Sequence, residues 1–470
     1  MMQNNDLRVR GDIRPRTAAW ALMCILLTGA LLRVLANLPY PMGMNTFSDD
    51  NAYLNSAAVF LKTGYVTYAT PDAQSGVLGV GMPLLLGALF AVFGYAPGGL
   101  MLAHIAFSMI GLCAAYGVYL LGALLHSRRA GVIGAAILAL DAGGISAGCL
   151  FLTETPYLCL NLFTLYFSLR CARGWHLPSF VGAVLCLCGA MAFKGLALLA
   201  PLCALPLLVR RRVPLRRWLP RVGVAGLMVV LVFLPWSVRN LQVVGTFTPF
   251  PVSQGDQKLL GSYVGLGAPA GTYAEDVAAL NQQAWDEGYQ SDVYRRIALR
   301  GDLADARMAQ WLRDDPLGLI ATHSFVKPFT LLCMAFYPQK LGIPARAVDA
   351  LWYALLALMA AGLLFPPAAR LWRRRQAARA GSEGSTAPLD GAHGALPAAQ
   401  GAVPNALPPS LPGYYLPALY LLAAVLLTAM YVPLPRYNAP HAPFVFFYAA
   451  CALADGWMWL RRRAQAKSRS

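Results

Sequence analysis

Long apolar stretches separated by short arginine-rich segments make up most of this chain. Apolar runs fill residues 17–38 and then, approximately, 80–95, 100–125, 130–150, 155–172, 177–193, 195–209, 219–239, 318–337, 348–369, 411–432 and 440–460. A helix crossing a bilayer needs about 20 apolar residues, so the pattern predicts a bundle of spanning helices. The run 17–38 follows a polar segment and is too long for a signal-peptide core, which makes it an uncleaved first span. Two stretches depart from this pattern. The polar part of 241–347 has helical spacing at 276–290 and 302–314, the latter through Leu303, Arg307, Met308, Trp311 and Leu312. Residues 376–411 are rich in Ala, Gly, Pro and Ser and read as a linker without a core.

The positions of the cations order these runs. The N-terminal segment, Arg128–Arg129, Arg170 with Arg173, the group from Arg210 to Arg221, the group from Arg370 to Arg379, and the tail from Arg461 hold 24 of 38 Lys and Arg. The positive-inside rule places all of these in the cytoplasm. That parity holds only if 80–95 and 318–337 do not cross. The expectation is therefore an all-α integral membrane protein of about ten full spans, with two apolar segments lying at the outer face; twelve spans is the alternative. The expected division is a cytoplasmic segment 1–16, a transmembrane module 17–240 with its first outer loop at 39–79, an extracytoplasmic loop 241–347 and a span 348–369. A cytoplasmic linker 370–410, two last spans within 411–460 and a basic tail 461–470 follow.

Composition agrees. Charged residues are 13% and hydrophobic ones 58% of the 470 residues, whereas soluble chains carry about 25% charge. The net charge of +17 is a topology signal, since the outer loop 241–347 is near neutral, and it does not call for nucleic acid. The ten cysteines avoid the polar loop and read as small apolar packing residues. No P-loop, GxGxxG in strand context or HExxH motif is present, and the six histidines lack metal-ligand spacing.

The chemistry concentrates on the outer face. In NTFSDDNAYLNSAAVFLKTGYVTY, Asp49 and Asp50 open a helix that Ser48 is placed to cap. A carboxylate there suits a general base acting on an acceptor hydroxyl beside a lipid-borne substrate. Glu154 in FLTETPY, Lys194 in MAFKGLA, Arg239 in FLPWSVRN, and Arg436, Tyr437 and His441 in PLPRYNAPHAP fall on the same face under this topology. Cations there suit an anionic leaving group. Asp141, mid-run in LALDAGG, is expected to face the bundle interior with a partner.

At these residues the chain resembles the GT-C glycosyltransferases that use polyprenyl-phosphate sugars. It is most similar to the broad group of protein O-mannosyltransferases and lipid A aminoarabinose transferases. The matching pieces, in order, are SDDNAYLNSAAVFLKTGY, GMPLLLGALFAVFGY, FLTETPY, AFKGLALLAPLCALPLL, FLPWSVRNLQVVGTF and PRYNAPHAPFVFFYAACAL. The resemblance implies catalytic roles for Asp49, Asp50 and Glu154, donor-phosphate binding by Lys194, Arg239 and Arg436, and substrate contacts from Tyr53, Tyr437 and His441. It departs at LGVGMPL, which lacks the Glu-Lys pair and double proline of aminoarabinose transferases and the arginine of other members. The outer C-terminal domain of some relatives is also missing.

The expected function is transfer of a sugar from a polyprenyl-phosphate carrier to a hydroxyl of a lipid, glycan or protein acceptor, with inversion. It would take place at the extracytoplasmic face of the inner (plasma) membrane, with both termini cytoplasmic. Membrane lipids are the other expected partners. Metal use is left open: a divalent cation on Asp49, Asp50 and Glu154 is the one cofactor the residues offer. The alternative is a flippase for a lipid-linked sugar, but its charges belong along a central pathway inside the spans, where only Asp141 lies.

Overall fold

The structure is a computed structural model that describes residues 12–46, 48–68, 74–252, 254–338, 341–383 and 413–467. Of the expected divisions, residues 1–11 of the N-terminal segment, 384–410 of the linker and 468–470 of the tail lie outside these. The described chain is helical, with one isolated antiparallel bridge, Thr67 to Gln74.

The first half runs α1 (Pro15–Asn37), α2 (Asp49–Thr63), α3 (Gly81–Phe93), α4 (Pro97–Leu125), α5 (Arg128–Leu140), α6 (Ala142–Gly148), α7 (Glu154–Arg173) and α8 (Leu177–Met191). A broken segment follows, with α9 (Leu199–Leu202) and α10 (Leu205–Arg210), then α11 (Leu215–Val244). The outer layer is α12 (Gln254–Gly261), α13 (Tyr273–Asp286), α14 (Val293–Asp314), α15 (Pro316–Ala321) and α16 (Lys327–Cys333). Last come α17 (Ala345–Glu383), α18 (Leu416–Thr428), α19 (Pro435–Asn438) and α20 (Ala442–Lys467).

Among the described residues, five helices are long and apolar enough to cross a membrane: 15–37, 97–125, 215–244, 345–364 and 435–465; counting the bent pair α5–α6 as one broken span gives six. The protein is a multi-pass membrane protein. Burial separates its centre from its rim. The apolar windows of α4 and 435–465 are 56% and 67% buried, against 11% for α11 and 22% for α1. The central core joins Leu112, Val118 and Leu121 of α4 to Leu162 and Leu165 of α7, Tyr420 of α18 and Phe444 to Tyr448 of α20. α4 and α5 meet at Gly122 and Gly131, where a Cβ on Gly122 would lie 2.4 Å from the Gly131 Cα.

A second cluster joins α2, α3 and α4. Ala57 of α2 packs with Met82, Leu86 and Phe90 of α3, Leu100, Ala103 and Phe107 of α4, and Phe151. α3 is docked from behind, because Gly81 N–H donates to the Ala192 carbonyl at 3.0 Å. A Cβ at Gly81 would sit 2.7 Å from that oxygen.

Three outer helices begin at side-chain caps. Thr272 accepts from Glu275 N–H while bonding the Glu275 carboxylate, Asp292 accepts from Arg295 N–H, and Asp315 from Gly318 N–H. The buried stripe of α14 is Ile297, Ala304, Arg307 and Trp311; Leu312, expected on it, is 55% exposed.

Several apolar runs are not single helices. The run 130–150 bends by 55° between α5 and α6, because Asp141 is an N-cap whose carboxylate accepts from Gly144 N–H at 2.6 Å. The partner expected for Asp141 is thus the start of the next helix. The run 318–337 is interrupted by a π-turn, Thr322–Val326, with Lys327 buried behind it. α17 continues to Glu383, so residues 370–383 of the expected linker are helical, as Ala, Arg and Gln favour.

Candidate active site

Asp49 and Asp50 stand side by side in the first turn of α2 but face different ways. Asp50 is buried and accepts from Thr46 N–H (2.5 Å), Thr46 Oγ1 (2.9 Å) and Ser48 N–H (3.0 Å). Ser48 holds the N-cap position yet makes no side-chain cap bond; Asp50 ties up the turn instead. Asp49 points outward and meets the Arg436 guanidinium at 2.5 Å.

Arg436 is delivered by the short α19, which is pinned to the end of α16: Asn438 Nδ2 donates to the Leu332 and Met334 carbonyls. Its NH2 donates to the Tyr437 hydroxyl at 3.2 Å, and its buried Nε has no hydrogen-bond partner. Glu154 starts α7, buried, and pairs with Lys194 at 2.8 Å; Thr153 Oγ1 donates to its other oxygen. Lys194 and Arg436 lie 5.5 and 5.0 Å from the centroid of the Tyr437 ring. Burial, and then the carboxylates of Asp49 and Glu154, raise the Tyr53 phenol well above its usual range, so Tyr53 remains a protonated hydroxyl. Asp49, Glu154, Lys194, Arg436, Tyr437 and Tyr53 therefore form one cluster drawn from four distant parts of the chain.

Two clefts open from this cluster. One is mostly apolar and is lined by Glu154, Leu138, Leu158, Trp352, Leu355 and Phe446, with Arg33 and Asp141 among the remaining residues. The other is polar and is lined by Asp49, Tyr53, Tyr68, Asp256, Arg296 and Arg300. In the second, burial and the carboxylates of Asp49 and Asp256 raise the Tyr68 phenol.

Two expected site residues lie otherwise. Arg239 does not join the cluster: it donates to the Ser75 (2.6 Å) and Val66 (3.2 Å) carbonyls and lies over the Trp236 ring, latching the first outer loop to α11. His441 is buried, with neither ring nitrogen hydrogen-bonded. No three His, Cys, Asp or Glu side chains gather in a metal-ligating group among the described residues. Sequence reasoning missed Arg33, Asp256, Arg296 and Arg300. The last two had a local signal, being one turn apart on a helix.

No known family profile and no curated protein matches the sequence. Solved structures do match. The Archaeoglobus fulgidus oligosaccharyltransferase in its apo form superposes with a TM-score of 0.53 at 16% identity, over 96% of this chain and 52% of that one. Archaeal AglB from Archaeoglobus fulgidus, in complex with an inhibitory peptide and a dolichol-phosphate, gives 0.50 at 13% identity, over 97% and 52%. ArnT from Cupriavidus metallidurans bound to undecaprenyl phosphate gives 0.49 at 12%, over 93% and 60%. The chain spans about half the length of the archaeal proteins and three fifths of ArnT. The fold is that of these archaeal proteins.

Proposed function

We propose that this chain is a membrane glycosyltransferase. It moves a sugar from a polyprenyl-phosphate carrier to a hydroxyl of a lipid, glycan or protein acceptor. The observation that carries this is the placement of the two carboxylate–cation pairs, Asp49–Arg436 and Glu154–Lys194, where an apolar cleft meets a polar one. A lipid-linked donor and a hydrophilic acceptor need such a junction. The dolichol-phosphate held by archaeal AglB, a protein of like fold, supports a lipid-phosphate donor here.

In this reading the donor's chain occupies the apolar cleft and its phosphate approaches Arg436 and Lys194. Asp49 is held by NH1 of Arg436, so a phosphate that takes that donor releases Asp49. Asp49 takes the acceptor hydroxyl proton. The acceptor oxygen bonds to the anomeric carbon from the face opposite the leaving group, and the carbon–oxygen bond to phosphate breaks. The phosphate leaves with the bonding pair, its charge held by the two cations. Attack from the opposite face inverts the anomeric centre. Glu154 orients Lys194. A divalent cation is not required by these steps.

The topology that belongs to this reading has about ten spans, with both termini cytoplasmic and the site on the extracytoplasmic face of the inner membrane.

The test is sugar transfer in proteoliposomes holding a panel of polyprenyl-phosphate sugars and extracted lipid acceptors. The Asp49→Asn protein is expected to insert and fold but to lose about 10²–10⁴ in rate. Transfer at the wild-type rate removes Asp49 as the base. Passage of a labelled lipid-linked sugar across the bilayer without transfer makes the protein a flippase instead.

A further inference from the structure

The polar cleft carries a cation whose side chain has no partner among the described residues. α12 crosses α14 closely at Gly255, whose Cβ would fall 2.2 Å from the Ile297 carbonyl. This approach brings Asp256 against Arg300 at 2.5 Å, and Arg300 also donates to Asn281 Oδ1 at 3.2 Å. One turn earlier on the same face, Arg296 lines the cleft with Asp49.

Among the described residues, the Arg296 guanidinium has no ion pair or hydrogen bond, and its Nε is buried without an acceptor. Its neighbours differ. Lys258 pairs with Asp305, Arg295 with Glu287, Arg300 with Asp256 and Arg307 with Asp276. The two carboxylates of the cleft are also engaged, Asp49 by Arg436 and Asp256 by Arg300. Among the described residues, then, Arg296 leaves the cleft with one unbalanced positive charge. A guanidinium with idle donors matches the paired oxygens of a phosphate or a carboxylate.

We propose that the acceptor carries an anionic group, phosphate or carboxylate, which Arg296 binds in the polar cleft while an acceptor hydroxyl reaches Asp49. The acceptor is thereby an anionic glycan or anionic lipid headgroup. This rests on the glycosyltransferase reading, since only that reading makes the cleft an acceptor site.

The experiment measures equilibrium binding to the full chain in nanodiscs of zwitterionic lipid, with three soluble probes: glucose 6-phosphate, glucuronate and glucose. At least one anionic sugar is expected to bind more tightly than glucose. The Arg296→Gln protein is expected to bind it roughly tenfold more weakly, the loss of one charge-assisted hydrogen bond. Arg296→Lys retains part of the affinity, and Arg295→Gln, whose guanidinium pairs with Glu287 outside the polar cleft, leaves it unchanged. An unaltered thermal midpoint shows that Arg296→Gln is folded. Whichever of phosphate and carboxylate depends on Arg296 names the acceptor's group.

The proposal is overturned if all three sugars bind alike, if none binds, or if Lys194→Gln weakens binding and Arg296→Gln does not. The last result places the anion at the donor cluster. Transfer measured alongside separates the two readings. Asp49-dependent transfer with Arg296-independent binding sinks the anionic acceptor alone. Arg296-dependent binding without any transfer keeps the anion site and sinks the enzyme.

Discussion

Two lysines show how differently this protein treats a cation. Lys194, at the outer turn after α8, faces the Glu154 carboxylate at 2.8 Å, with part of its side chain open to the cluster. Lys327, on α16, is fully buried and faces no carboxylate; it donates to the Gly261 carbonyl (2.8 Å) and lies 3.0 Å from His323 Nε2. Burial lowers Lys327 to about 8, and burial together with Lys327 lowers His323. One lysine is held ready for an anion. The other is a strut that ties the end of α12 to the interrupted helix beneath it. A cation near a carboxylate and an open cleft points to chemistry, whereas a cation spent on carbonyls points to architecture.

The sharpest way to break this comparison is Lys194→Met. It leaves Glu154 buried and unpaired and is expected to cost about 3–5 kcal/mol of stability, read by thermal unfolding in detergent. Adding Glu154→Gln should restore most of the loss, and if it does not, the pair is not what holds the two groups. Next is Arg239→Gln, whose carbonyl bonds latch the first outer loop. About 1.5–3 kcal/mol of stability is expected to go, with KM for the donor unchanged; a raised donor KM puts Arg239 with the phosphate-binding cations after all.

The last is the pH dependence of Lys327. Its folded value, about 8, lies below the ordinary 10.5. Between these the unfolded chain holds more protons than the folded one, so wild-type stability gains from this group as pH rises from about 8 to about 10.5. Lys327→Met is expected to remove that increment. Equal slopes in both proteins would show that the buried ammonium is not destabilised.

Much of the cluster was legible because it sits at run ends. Glu154, Lys194 and Arg436 each adjoin an apolar run, and Asp49 opens the helix of the first loop, in a pair of acids that stands out in the sequence. The illegible parts depend on contacts between distant segments or on backbone breaks. Arg239 ends its run as Arg436 begins its own, and nothing local says that one meets carbonyls and the other a carboxylate. Asp141 looked like a mid-span charge because an N-cap inside an apolar run has no composition signal of its own. Arg296 and Arg300 lay within a polar loop of mixed charge. Their cleft needs Asp256 from another helix, and that pairing is tertiary.

The break at Asp141 bears on how the protein keeps a charge away from water. Because α5 stops there, the Ala139 carbonyl is left without a helical partner, and Arg33 of α1 takes it at 2.9 Å, together with its own Gly29 carbonyl. Arg33 is 1% exposed, so in the finished protein its charge is solvated by backbone rather than by water. Arg33 stands near the C-terminal end of α1, where a lone helix can turn it to headgroups and water. Only the packed α1 and α5 together replace that water with two carbonyls, so the arginine's solvation is itself a tertiary contact.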